Sequence, residues 1–154
     1  EGTLAVEGMG KTGFVIECDK EGTGYYISID FMNGFVQFRA WGFNEKDVKN
    51  NFIFENIQTN QFEIGEEKQI YFKIIRYGNY YELSINDIVK LTLLDFKYNE
   101  GKVGIYVCSA VISISDSKIH VIPEPENEYA ASDPEKYNED YNRIMQLDTR
   151  TNTN

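Results

Sequence analysis

The residues able to do chemistry are few, and several alternate along neighbouring stretches. Glu17 and Asp30 are carboxylates, Arg39 carries a planar fixed charge, and Tyr26 and Trp41 are aromatics with one polar atom each. An Arg ringed by Asp, Glu, Ser and Gln can fork hydrogen bonds to vicinal hydroxyls as well as to carboxylates. A flat aromatic can cover the apolar C–H face of a ring whose hydroxyls the polar groups satisfy. That combination is the chemistry of sugar recognition. As a catalytic pair, Glu17 and Asp30 would act as the acid and base of a glycosidase, but no deep catalytic architecture accompanies them. Other chemistries find little. One His argues against triads and multi-His zinc sites. Gly8-Met9-Gly10-Lys11-Thr12-Gly13 contains Gly-Lys-Thr but lacks the spaced first Gly and the following helix, so it is no phosphate loop. Asp19, Glu21 and Asp95 sit in loops and could hold a structural Ca²⁺ with backbone carbonyls, although no calcium-loop motif surrounds them.

Strands must position these side chains. Gly or Asn punctuates residues 1–122 every 8–12 residues, the pattern of an all-β sandwich. Ten strands are expected: 2–8, 13–19, 24–32, 35–42, 52–59, 68–77, 80–86, 88–94, 101–108 and 112–121. With no long amphipathic helix between them, the expected architecture is an antiparallel jelly-roll sandwich. Asn33-Gly34 is a two-residue hairpin signal. Placing it at the turn sets Phe31 against Val36, Ile29 against Phe38 and Ile27 against Ala40 on one apolar face. The other face pairs Asp30 with Gln37, Ser28 with Arg39 and Tyr26 with Trp41. In the preceding strand Glu17 lies opposite to Phe14 and Ile16, so the polar face is expected to present Glu17, Tyr26, Ser28, Asp30, Gln37, Arg39 and Trp41. Such alternation also describes an ordinary solvated face. What sets this one apart is that the only Trp of the chain is on it. A second hairpin with Gly78-Asn79 at its tip pairs Arg76 with Tyr81, Ile74 with Leu83 and Phe72 with Ile85. Asn86-Asp87 is a further turn. Tyr77, Tyr80 and Tyr81 cluster at the Gly78 tip, as edge packing or a second adhesive patch.

Composition agrees. The 154 residues include 11 Tyr, 10 Phe and 1 Trp but only 3 Pro, a composition suited to pleated surfaces. Length points to one domain. The net charge of −10 disfavours nucleic acid and anionic membranes as partners, and no apolar run is long enough for membrane insertion. Residues 123–154 hold eight acids and three bases, half of the net charge. They open on alternating Pro and Glu, which reads as a stiff linker. Ser132-Asp133-Pro134-Glu135 resembles a helix start. A short helix from Asp133 to about Gln146 would carry Tyr137, Tyr141, Ile144 and Met145 on one side, as a tail leading to a neighbouring module or as a docking helix. The chain begins at Glu1 without a signal-peptide pattern, as a processed or excised chain would. Cys18 and Cys108 lie in apolar stretches and are expected as buried free thiols, with a long-range disulfide the lesser reading.

Three stretches carry a resemblance: Gly13-Phe14-Val15-Ile16-Glu17, then Gly24-Tyr25-Tyr26-Ile27-Ser28-Ile29-Asp30, then Val36-Gln37-Phe38-Arg39-Ala40-Trp41-Gly42. Together with Tyr80-Tyr81-Glu82-Leu83-Ser84-Ile85-Asn86 and Gly101-Lys102-Val103-Gly104-Ile105-Tyr106-Val107, they resemble the concanavalin-like (laminin-G-like) sandwich modules attached to glycoside hydrolases. They are similar to modules beside family 32 fructan hydrolases, including the levan-binding family 66 carbohydrate-binding modules. The resemblance covers residues 1–122 and leaves 123–154 unmatched. It implies a non-catalytic module, outside the cell or at its surface, that binds an oligo- or polysaccharide (levan or inulin) and is tethered to a glycoside hydrolase domain. Family 66 modules are understood to grip a terminal fructose with acidic groups, an Arg and an aromatic. Glu17, Asp30, Arg39 and Trp41 are the matching residue types, with Tyr26 beside them. No cofactor is implied. The competing reading is a sandwich that supports a neighbouring catalytic domain without binding sugar; a free-standing glycosidase is a more distant third.

Overall fold

The computed structural model describes residues 1–43 and 52–122. The expected linker and helix at 123–154 lie outside the described residues. The described residues form eight antiparallel strands: β1 (Gly2–Cys18), β2 (Gly24–Asp30), β3 (Phe35–Phe43), β4 (Phe52–Gln61), β5 (Gln69–Tyr77), β6 (Tyr80–Ile85), β7 (Ile88–Leu94) and β8 (Lys102–Ser115). They hydrogen-bond in the order β4-β3-β2-β1-β5-β6-β7, with β8 on β1. The all-β sandwich expected from the spacing of turns is the fold observed.

Two of the expected breaks are bends instead. The strands expected at 2–8 and 13–19 are one strand, β1, and those at 101–108 and 112–121 are largely one strand, β8. Residues 3–8 of β1 pair with 110–115 of β8, and 11–18 pair with 102–108, with a bulge between. There Gly8 has φ 96° and Ser109 φ 55°. A bulge inserts an unpaired residue and turns the strand, and strands that bend this way carry the chain from one layer to the other. The first part of β1 then joins β5 and its second part joins β2. Gly10 is at the bend because a Cβ would lie 2.1 Å from the Cys108 carbonyl oxygen.

The layers β1-β2-β3-β4 and β1-β5-β6-β7 face each other across an apolar core. Leu4, Tyr25, Ile27, Ile29, Val36, Phe38, Ile70, Tyr81, Leu83, Ile85 and Leu91 are all buried in it. On the far side, β4 is laced to β7 by side chains. Gln58 bonds both the N–H and the carbonyl of Thr92, and Asn60 donates to the Lys90 carbonyl. One end is plugged by the loop after β7. Tyr25 donates its hydroxyl to Asp95, and the Tyr98 N–H donates to the Tyr25 hydroxyl at 3.0 Å. Burial, and then Asp95, raise the Tyr25 pKa far above the usual phenol value.

The β5–β6 hairpin has the expected register, with Arg76 opposite Tyr81 and Phe72 opposite Ile85. Asn86 and Asp87 both take positive φ, as their turn requires. The β2–β3 hairpin is shifted by two. Ile29 faces Val36, Ile27 faces Phe38, and Asp30 faces Phe35. The connection is therefore the four residues 31–34, not Asn33-Gly34 alone. Asp30 explains the longer loop. Its Oδ1 accepts the N–H groups of Met32 and Asn33, and its Oδ2 accepts the Asn33 amide at 3.0 Å. A shift of two preserves which side chains share a face, so the expected apolar and polar sets stand. The tyrosines at the second tip do not form an adhesive patch. Tyr81 faces the core, and Tyr77 and Tyr80 are buried on the opposite face.

Candidate functional site

The outer face of the β8-β1-β2-β3-β4 layer holds Tyr26, Arg39 and Trp41, as expected from the alternation. Across the strands, Val15 faces Tyr26, Tyr26 faces Arg39, and Arg39 faces Asn56. Two residues missing from the expected set complete it. Phe54 on β4 lies opposite Trp41, with ring centroids 4.5 Å apart. Tyr106 on β8 meets Tyr26 edge-on at 5.5 Å, and Tyr26 meets Phe54 edge-on at 5.3 Å. Trp41, Phe54, Tyr26 and Tyr106 thus form one aromatic stripe across four strands. The alternation within β4 places Phe54 on this face. The Gly-x-Tyr rhythm of β8 marks Tyr106 only once its partner strand is known.

The stripe is held from below and beside. Tyr26 donates its hydroxyl to the Gly22 carbonyl at 2.8 Å. Its pKa is pushed up to about 12, first by burial and then by Cys18. Burial, with Cys108 second, also raises that of Tyr106. Both phenols are neutral donors at physiological pH. Tyr98 donates to the Trp41 carbonyl at 3.1 Å, which fixes the strand that carries the indole. Arg39 lies over Phe54, 3.9 Å from the ring centre, a cation–π contact. Among the described residues Arg39 makes neither an ion pair nor a hydrogen bond. Beside it Asn56 and Gln37 converge on the Thr59 hydroxyl at 2.8 and 3.4 Å. Ser28 is also on this face, but its hydroxyl is enclosed and has no partner among the described residues.

The two carboxylates are elsewhere. Glu17 is the clearest departure from expectation. A bulge lies between Val15 and Cys18, and Glu17 takes φ 52°. The extra residue reverses the alternation, so Glu17 points to the core side. There it pairs with the Arg76 guanidinium of β5 at 2.8 Å, with only 9% of its side chain exposed. Cys18 takes its place beside Tyr26. Asp30 remains on the outer layer but is committed to the loop it caps and to Lys11 at 3.5 Å. It is four residues from Tyr26 along β2, about 13 Å at ~3.3 Å per residue. Burial alone would raise the Asp30 pKa. The bonds from Asn33 and Met32 and the charge of Lys11 outweigh it and hold the carboxyl below its ordinary value. Glu17 and Asp30 therefore form no catalytic pair.

The loop acids considered for calcium have protein partners too: Glu21 pairs with Lys20 at 3.6 Å. Asp19 Oδ1 accepts the N–H groups of Glu21 and Thr23, both at 2.9 Å, and Asp95 accepts from Tyr25 and from the Lys97 N–H. Among the described residues no three His, Cys, Asp or Glu side chains gather as a metal site would need. Both cysteines are free; Cys18 is buried as expected, whereas Cys108 is exposed, because β8 is an edge strand.

What the face can do is clear from its parts: a stripe of rings, a guanidinium over one of them with no hydrogen-bond partner among the described residues, and a short polar shelf. A module with a related architecture has been solved. The family 66 carbohydrate-binding module from Bacillus subtilis superimposes with a TM-score of 0.61, at 19% identity over 73% of this chain and 68% of that one. The likeness is one of fold, and the resemblance to family 66 modules holds at that level. No protein-family model matches the chain. No curated protein sequence matches it either.

Proposed function

We propose that the chain is a non-catalytic carbohydrate-binding module and that the aromatic stripe is its glycan platform. The observation that carries this reading is Arg39. A guanidinium has five N–H donors, and here it lies over the Phe54 ring with no protein acceptor among the described residues. A sugar laid along the stripe would cover the rings with its C–H faces and give Arg39, Gln37 and Asn56 its hydroxyls. Among the described residues the stripe holds no carboxylate, and it runs across four strands. Both features suit a run of neutral sugar rings better than a gripped terminal residue. A fructan such as levan or inulin is the first ligand to test, on the resemblance to family 66 modules. On the same ground the module works outside the cell or at its surface, tethered through residues 123–128 to a glycoside hydrolase.

Calorimetric titration with levan and inulin oligosaccharides, alongside a glycan array, tests the reading. Weak, enthalpy-driven binding is expected, with Arg39→Ala and Trp41→Ala each losing at least about tenfold in affinity, or about 1.4 kcal/mol, while far-UV circular dichroism stays unchanged. Silence of the folded wild-type protein on every glycan would sink the proposal.

A further inference from the structure

Strand β8 is long and, among the described residues, hydrogen-bonded on one side only, to β1. Its residues 103–115 contain no charge and no proline. Exposed edges normally carry such devices, because their free N–H and C=O groups recruit other strands. Here the reverse holds. Val103, Ile105 and Val107 are 74%, 58% and 45% exposed, all on the core-facing side of the layer, where they extend the apolar surface past the edge of the sandwich.

We infer that this edge pairs with a second copy of the chain, β8 against β8, about a two-fold axis through Ile105. The sequence is self-complementary in that register. Val103 meets the second copy's Val107, Ile105 meets its own counterpart, and Val107 meets the second copy's Val103. On the opposite side Tyr106 lies over the second copy's Gly104, a large side chain over the smallest. Moving the register by two sets Val103 against Ile105 or against Ser109 and breaks the match. A closed two-fold contact uses the same patch on both partners. No like charges meet, although each chain carries −10 overall. A contact made by one pair of strands is small, which places it at the weak end of specific interfaces.

The pairing has a consequence that rests on the glycan reading. An axis perpendicular to the sheet leaves both outer faces on one side. Tyr106 is next to the axis, so the two stripes join end to end and the dimer presents a doubled, continuous platform. Polymer would then be held bivalently.

Sedimentation velocity of the full chain over a wide concentration range tests the pairing. The mass is expected to rise from 17.8 kDa towards twice that value, and Ile105→Lys, which sets two charges face to face on the axis, is expected to stay monomeric with unchanged thermal unfolding. In a Cys108→Ser background, Ile105→Cys is expected to form a covalent dimer on mild oxidation, while Val111→Cys does not. A wild-type chain that remains monomeric throughout, or an Ile105→Lys chain that dimerises as well as wild type, overturns the inference. Retention on immobilised levan compared with affinity for a short oligosaccharide separates the two readings. Ile105→Lys should weaken retention at least about tenfold and leave oligosaccharide affinity unchanged. Loss of all glycan binding with dimerisation intact would refute the platform and leave the pairing standing.

Discussion

At the level of single residues, the chain separates charges that hold the fold from a charge left over for something else. Glu17 and Asp30 are both saturated by protein groups, whereas Arg39 rests on a ring. Glu17→Gln leaves the Arg76 guanidinium half of an enclosed pair, so it should lower unfolding free energy by about 1–3 kcal/mol in urea titrations. Affinity for glycan should not move, since Glu17 is on the other side of the layer; a loss of affinity without loss of stability would contradict this placement. Asp30 yields a pH prediction. Its pKa is lowered in the folded chain, so its ionised form stabilises the fold above the unfolded carboxyl's pKa, and that contribution disappears as pH falls through the folded value. Wild type should lose stability relative to Asp30→Asn as pH drops below about 4. The gap between the two should be widest near neutral pH. Parallel acid titrations of both proteins would contradict the assigned loop-capping role.

At the level of elements, two bulges decide the site. The bulge after Val15 turns Glu17 inward and Cys18 outward; the one between Gly8 and Lys11 lets β1 and β8 pass from one layer to the other. The second predicts a large effect from one methyl group. Gly10→Ala drives a Cβ against the Cys108 carbonyl backbone, and should cost about 2–4 kcal/mol in thermal or urea unfolding, far beyond a typical surface Gly→Ala change. Near-neutral behaviour would show that the bend is not tightly packed. One of the two hairpins was legible from its tip. Gly78-Asn79 set its register because a short loop leaves no freedom. Asn33-Gly34 did not, because Asp30 caps a longer loop by bonding backbone N–H groups, a local alternative that an Asn-Gly signal does not reveal.

Across the whole molecule, the asymmetry between the two cysteines reports the sandwich geometry. Cys18 is beneath the outer face between β8 and β2; Cys108 is on the edge strand. A thiol reagent should therefore modify one cysteine of the native protein quickly and the second only on unfolding. Cys108→Ser should remove the fast phase. Two fast phases would contradict the burial of Cys18, and one phase that survives Cys108→Ser would reverse the assignment.

Residue types and their alternation were enough to define an all-β chain, although two strands were each expected as a pair, an apolar and a polar face for β2 and β3, and the grouping of Tyr26, Arg39 and Trp41. Period-two alternation survives any even error in register, so this much is written in local order. Tertiary structure alone decided that Glu17 leaves the face, since a bulge is one extra residue whose position depends on the partner strand. It also decided that Phe54 and Tyr106 join the stripe. They are separated from Tyr26 by 28 and 80 residues, and only the pairing of β4 with β3 and of β8 with β1 brings their rings together.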